Sequence, residues 1–127
     1  MSDPKFLLID YGSFQPGDLD AFKDQDWLIR IFVGAGEPDL EVAKVSSLQA
    51  FGAGLEYIQI DGDGPAATDI HIAFHIGQLA AVNLQAKFCV VSASSGLRPL
   101  LKYLGKLGIE CLMATPASTS GRRGRFH

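Results

Sequence analysis

Asp10 is the residue in this sequence that most needs a chemical reason. It closes the apolar run "KFLLID", and a carboxylate ending a buried strand costs several kcal/mol unless it is paired, hydrogen-bonded or metal-bound. Asp69 stands at the head of a second apolar stretch, "DIHIAFHIGQLAA". Two carboxylates facing one another would hold Mg²⁺, an ion that takes few protein oxygens and keeps its waters. Asp69 also has a plainer role open to it, because an acid near a helix N-terminus complements the macrodipole. Taken alone, the pair is weighted toward turn and cap roles.

Other candidate groups read as structural. Ser94 and Ser95 lie in "SASSG" at a strand-to-helix junction, but the G-x-S-x-G frame of a nucleophile elbow is missing, so a helix cap is expected. His71 and His75 have the i, i+4 spacing of metal ligands. Yet no third ligand accompanies them and Ile72 stands where a zinc-protease helix carries Glu, which leaves helix-surface or interface residues. "DGDG" at 61–64 is followed by Pro65 and Ala66, where a calcium loop wants an oxygen ligand and a turn glycine. It reads as a glycine-rich turn. "GAGEPD" at 34–39 is too short for a dinucleotide fingerprint and, with Pro38, reads as a helix start.

Five strand-length apolar runs position these groups: 5–10, 27–34, 55–61, 86–92 and 109–114. Most show little alternation, as expected of strands covered on both faces. Helical periods lie between them. Residues 39–52 place Leu40, Val42, Val45, Leu48 and Phe51 along one stripe ended by Gly52 and Gly54. Residues 67–84 carry Ile70, Ala73, Phe74, Gly77, Ala80, Ala81 and Leu84, and residues 97–107 are ended by Gly105 and Gly108. A short helix near 18–24 completes the set. Strands alternating with helices imply right-handed crossovers and a mainly parallel five-stranded sheet in a three-layer α/β/α sandwich of Rossmann-like type. One domain over 1–114, followed by a basic, flexible tail at 115–127, is the expected organisation. Ligands in such a sheet sit beyond the strands' carboxyl ends, where the sequence places Asp10, Gly34–Glu37, 61–69 and 92–98.

A chain of 127 residues, 47% hydrophobic and 20% charged, buries roughly two-thirds of its unfolded surface without disulfides or metal. Cys89 and Cys111 sit inside apolar strand segments, the pattern of reduced core cysteines in a cytoplasmic protein. "MSDPKFLLID" lacks the layout of a signal peptide. Residues 1–120 hold 8 Lys and Arg against 14 Asp and Glu, while "GRRGRFH" adds Arg122, Arg123 and Arg125. An acidic body is a poor general platform for nucleic acid, although an arginine tail supplies phosphate affinity locally.

The order of elements and several short strings resemble the PIN-like superfamily, in particular its PIN/NYN-type branch. "LLIDYGSFQP" occupies the place of that branch's "VDxENV" opening. "GDGPAATDIHIAFHIGQLAA" is similar to a segment reading roughly G-x-G-x-N-A-x-D-x-x-I-A-F-x-L-G-x-L-A. "FCVVSASSGLRPLLKYLGKLGIEC" is similar to its strand–turn–helix. The resemblance implies a nuclease-like fold in which acids at the strand ends gather Mg²⁺ or Mn²⁺ to cut RNA, with Asp10 and Asp69 as the matching catalytic and metal-binding acids. The departures are large. Gly12 and Ser13 replace Glu and Asn, Ala66 replaces Asn, Ser94 stands at the third acid and Arg98 at the fourth.

Metal-assisted hydrolysis needs charged oxygen ligands that fix the ion and orient water, and this set is short of them. Arg98 is expected either to pair with Asp10 or Asp69 or, with Ser94 and the helix amides, to bind a phosphate. The expectation is therefore a catalytically degenerate PIN-like domain without a resident cofactor, acting in RNA binding through Ser94, Arg98, Arg122, Arg123 and Arg125, or in protein assembly. The alternative is a residual Mg²⁺/Mn²⁺-dependent endoribonuclease using Asp10 and Asp69, with Glu37, Asp61 or Asp63 completing the set. The long helix is apolar nearly all round, which adds a homodimer to the expected partners.

Overall fold

The computed structural model describes residues 3–22, 25–36, 42–49 and 54–114. Five strands, β1 (Lys5–Asp10), β2 (Trp27–Val33), β3 (Leu55–Gln59), β4 (Lys87–Val91) and β5 (Glu110–Ala114), alternate with helices. These are α1 (Val42–Gln49), α2 (Pro65–Val82) and α3 (Arg98–Lys106), with a 3₁₀ segment at Pro16–Phe22 after β1. Every strand pair is parallel and the order is β3-β2-β1-β4-β5. The chain thus adds strands on one side of β1, then crosses over and adds them on the other. That reversal opens a crevice between the carboxyl ends of β1 and β4, where open α/β sheets bind ligands.

The strands build both faces because successive side chains alternate. Leu7 and Ile9 of β1 join Ile29, Ile31 and Val33 of β2 and Cys89 and Val91 of β4 beneath Phe14, Leu19, Phe22 and Leu48. Leu8, Phe32, Phe88 and Val90 point the other way, under Ile72, Ile76 and Ala80 of α2 and Leu97, Leu101 and Leu104 of α3. Three layers result, and the fold is the expected α/β/α sandwich. Leu8 and Ile76 are fully buried, so truncating either to Ala is worth about 2–5 kcal/mol of stability.

The long helix differs from its sequence reading in two ways. It begins at Pro65, two residues earlier than the apolar pattern indicates, because Gly64 adopts φ 89° and ψ 170° at its N-cap. An L side chain rarely adopts that φ. Pro65 then supplies a preset helical φ, and Thr68 closes the turn by donating its N–H and hydroxyl to the Gly64 carbonyl, each at 3.2 Å. The buried stripe is Thr68, Ile72, Ile76 and Ala80; of the apolar set picked out in the sequence Ala80 lies on it, whereas Ile70, Phe74, Gly77, Ala81 and Leu84 face outward. In a helix apolar nearly all round, composition does not say which stripe meets the sheet. At the other end Asn83 stops the helix, taking its last bond to the Leu79 carbonyl.

Gly105 lies within α3 rather than ending it; Gly108, at φ 86°, makes the exit. Leu40, Phe51 and Gly52 of the first helical stripe lie outside the described residues, as do Glu37, Pro38 and 115–127. Both cysteines are free, and burial pushes each thiol up to about 12. Among the described residues no helix is long and apolar enough to cross a membrane.

Candidate functional site

A cleft of about 420 Å³ opens at the β1/β4 reversal. Asp10 and Ser13 from the end of β1, Gly34 after β2, Asp63 to Pro65 and Thr68 around the start of α2, and Ala93 and Ser94 after β4 line it. The long-range pairing is made by hydroxyls. Asp10 Oδ1 accepts the Gly12 N–H at 3.1 Å and its Oδ2 accepts the Ser13 hydroxyl at 2.9 Å. The same Ser13 oxygen accepts the Ala93 N–H at 3.3 Å, so one serine ties the β1 turn to the β4 turn.

Asp69 is held in a similar way. Its Oδ2 accepts the Ser94 hydroxyl at 2.7 Å, while Ser94 Oγ accepts the Gly96 N–H at 3.1 Å. The Ser94 N–H is taken by the buried Ser92 hydroxyl at 3.1 Å. A Cβ on Gly96 would stand 2.5 Å from Asp69 Oδ2, so the glycine is what lets this turn close over the carboxylate. Asp69 Oδ1 is buried and meets no donor. Asp69 is the fifth residue of α2, beyond its first turn, which removes the helix-opening role expected of it.

Ser94 therefore does not cap α3. Leu97 occupies the N-cap position without a side-chain bond, and the Arg98 N–H goes to the Ser95 carbonyl at 3.2 Å. Arg98 itself is exposed and lines a separate depression with Lys102 and residues of β5. It forms no ion pair with Asp10 or Asp69. Its position at the start of α3 turns it outward from the corner in which a pairing or shared phosphate site was expected. Asp69 and Ser94 are brought together, and Asp10 is tied to the same turn through Ser13 and Ala93; Arg98 stands apart, and Arg122, Arg123 and Arg125 lie outside the described residues.

Asp63 is exposed at the cleft mouth with its carboxylate against the Gly34–Gly36 turn, and Asp61 is exposed beside it. Sequence reasoning missed Ser13 and Ser92. Ser13 had a local signal, since a hydroxyl three residues after an Asp often closes a turn with it; its link to β4 had none.

His71 Nδ1 bonds the Ala67 carbonyl at 2.8 Å, within its own helix. His75 Nδ1 meets Arg30 Nη1 at 2.7 Å, with its ring edge-on to Phe32. A guanidinium has no acceptor, so the His75 nitrogen accepts and the ring is the neutral tautomer. Burial, and then the Arg30 charge, lower its pKa. His71 is thus held within its helix and His75 against the sheet, each through its Nδ1.

A family model for the PIN domain matches residues 4–114. The chain belongs to the PIN domain family, and membership carries a nucleic-acid-related function. No curated protein and no solved structure matches it.

The divalent ions implied by that family are tested by the donors present. Among the described residues no three His, Cys, Asp or Glu side chains converge on one point. Asp10 and Asp69 each give one oxygen to a serine hydroxyl. The other Asp10 oxygen takes a backbone N–H, and the other Asp69 oxygen is sealed from solvent. Two carboxylates so engaged, with only the neutral Ser94 hydroxyl beside Asp69, do not fit a pair of ions sharing the work of hydrolysis.

Proposed function

We propose that this PIN domain is catalytically degenerate and associates with nucleic acid without hydrolysing it by a two-metal route. The observation that carries the reading is the Ser94–Asp69 bond, in which a neutral hydroxyl occupies the place of an acid and satisfies the carboxylate an ion would need. A single domain over 1–114 carries the cleft, and a basic tail at 115–127 adds salt-sensitive affinity through Arg122, Arg123 and Arg125. Homodimerisation or a protein partner is supported by α2, whose Ile70 and Phe74 are 68% and 63% exposed one turn apart.

Titration of Mg²⁺ and Mn²⁺ by thermal shift, followed by incubation with single-stranded RNA, tests this. The expected outcome is no saturable stabilisation below about millimolar metal and intact RNA. Metal-dependent cleavage that disappears in Asp10→Asn would overturn it. Removing residues 122–127 is expected to weaken RNA retention at low salt; unchanged retention discards the tail's part.

One observation favours a second reading, residual endoribonuclease activity through Asp10 and Asp69 with Asp63, Asp61 or Glu37. The partnerless Asp69 Oδ1 is a buried acceptor with room in its chemistry for a cation. Ser94 holds only the other oxygen, Oδ2. The same titration separates the two readings.

A further inference from the structure

The charges of this chain divide sharply at α2. Of its 14 Asp and Glu residues, Glu110 alone lies beyond Asp69, whereas seven of its 11 Lys and Arg lie there. The sheet order converts that division into space. β1, β2 and β3 fill one half of the sheet, while β4 and β5, with α3 packed on β5, fill the other. Among the described residues, acids predominate on the β3 side, while the β5 side carries Lys87, Arg98, Lys102 and Lys106 against Glu110.

The basic charge is ordered on α3. Arg98, Lys102 and Lys106 recur every fourth residue, all exposed, on a helix with no acid. Successive cations therefore stand about 6 Å apart along the axis. Leu101 and Leu104 bury the opposite face. Among the described residues none of the three cations makes an ion pair. Tyr103 is 58% exposed and lies beside the cationic row. Between α3 and β5 a depression of about 310 Å³, lined by Arg98, Lys102, Cys111 and Leu112, gives the row an apolar floor. Glu110, the acid of this flank, begins β5 opposite Lys87 of β4.

We propose that the solvent face of α3, with Arg98, Lys102, Lys106 and Tyr103, is the surface on which this PIN domain holds single-stranded nucleic acid, outside its acidic cleft. The proposal rests on the nucleic-acid reading above and assigns it a place. A row of cations tracks a phosphate backbone, and an exposed aromatic beside it offers a face on which a base stacks whatever its identity. The cleft supplies neither feature, since its charged lining residues are Asp10 and Asp63. A backbone entering it without an ion would meet like charge.

The test is fluorescence anisotropy with the full chain and a fluorescein-labelled oligouridine of about 15 nucleotides, a length that covers a typical single-strand site. Binding is measured across a salt series. Replacing Arg98, Lys102 and Lys106 together by Ala is expected to raise Kd at least about ten-fold and to flatten the log–log salt slope by about 2 for three lost contacts. Tyr103→Ala is expected to weaken binding about five-fold or more with the slope unchanged, as befits a stacking contact. All four side chains are exposed, so the variants should melt with the parent.

If the parent binds the RNA and the triple variant binds it with the same Kd and slope, the α3 assignment fails while the nucleic-acid reading stands. Absence of RNA binding by the parent ends both. Displacement of the RNA by polyglutamate at equal charge concentration, as effectively as by unlabelled RNA, would move the surface to an acidic protein partner and overturn the proposal.

Discussion

The cleft at the β1/β4 reversal and the outer face of α3 flank the same short turn, residues 92–97, and treat charge in opposite ways. In the cleft, charge is consumed. Asp10 and Asp69 are bound by Ser13 and Ser94, and the turn amides of Gly12, Ala93 and Gly96 complete the network. On α3 three exposed cations stand without a partner among the described residues. Side chains engaged by short, partly buried bonds hold a structure together, whereas exposed and unpaired ones are available to a ligand. On the function proposed above, the acidic corner serves as a structural clamp while affinity for a polyanion resides on another face of the same fold.

The strongest way to break that contrast is to remove one hydroxyl. Ser94→Ala leaves Asp69 with neither oxygen bonded, and an unsatisfied buried acceptor costs about 1–3 kcal/mol. A fall in Tm of several degrees is expected by calorimetry, since each kcal/mol moves a domain of this size about 2–8 °C. Lys102→Ala should stay within about 0.5 kcal/mol of the parent. Equal melting temperatures for the two variants would show that the cleft is no more a clamp than the helix is.

Ser94→Asp pushes in the other direction. A second carboxylate against Asp69 should destabilise the domain in EDTA, and Mn²⁺ should restore stability by about 1.4 kcal/mol at ten times its Kd. The parent should show no such restoration. A manganese-dependent rise in the parent's Tm would mean that the serines do not displace the ion after all.

Much of this architecture was legible in the sequence because strand cores are written plainly. The runs ending at Asp10, Val33, Gln59, Val91 and Ala114 were each located to within two residues, since uninterrupted Ile, Val, Leu and Phe in a short segment have few other uses. Asp10 announced itself by ending such a run. What stayed hidden depends on contacts between distant segments. The α2 stripe could not be read because Ile70 and Phe74 are as apolar as Ile72 and Ile76, and the sheet alone decides between them. The partner of Ser94 lies 25 residues away, so the local pattern suggested a cap. Arg98 is expected in the corner because the resemblance aligns it with the fourth acid, whereas the helix geometry places it in register with Lys102 and Lys106.

A smaller effect is expected from Asp63 at the cleft mouth. If nucleic acid rests on α3, Asp63→Asn should leave RNA affinity unchanged or strengthen it about two-fold by easing long-range repulsion, which a Debye length of about 8 Å largely screens at physiological salt. A loss of affinity in this variant, particularly one that depends on Mg²⁺, would return the binding site to the cleft.

The smallest effect is expected at His75, on the face of α2 that meets β2. Its neutral nitrogen accepts from Arg30, whose Nε in turn lies 3.6 Å from Glu56. Protonation would set two cations against one another in a partly buried place. Burial and the Arg30 charge lower the pKa of folded His75 below its ordinary 6.5. Between those two values the unfolded chain binds more protons than the folded one, so stability increases with pH. The contribution is complete above about pH 6.5 and is lost as pH falls through the lowered folded value. A shallow decline in Tm on acidification should therefore appear in the parent and be smaller in His75→Gln, which keeps an acceptor for Arg30 but does not titrate. The same acidification should not weaken RNA binding, because Arg98, Lys102 and Lys106 keep their charge throughout. If binding and Tm declined together and both were cured by the glutamine, α3 would not be acting independently of the sheet beneath α2.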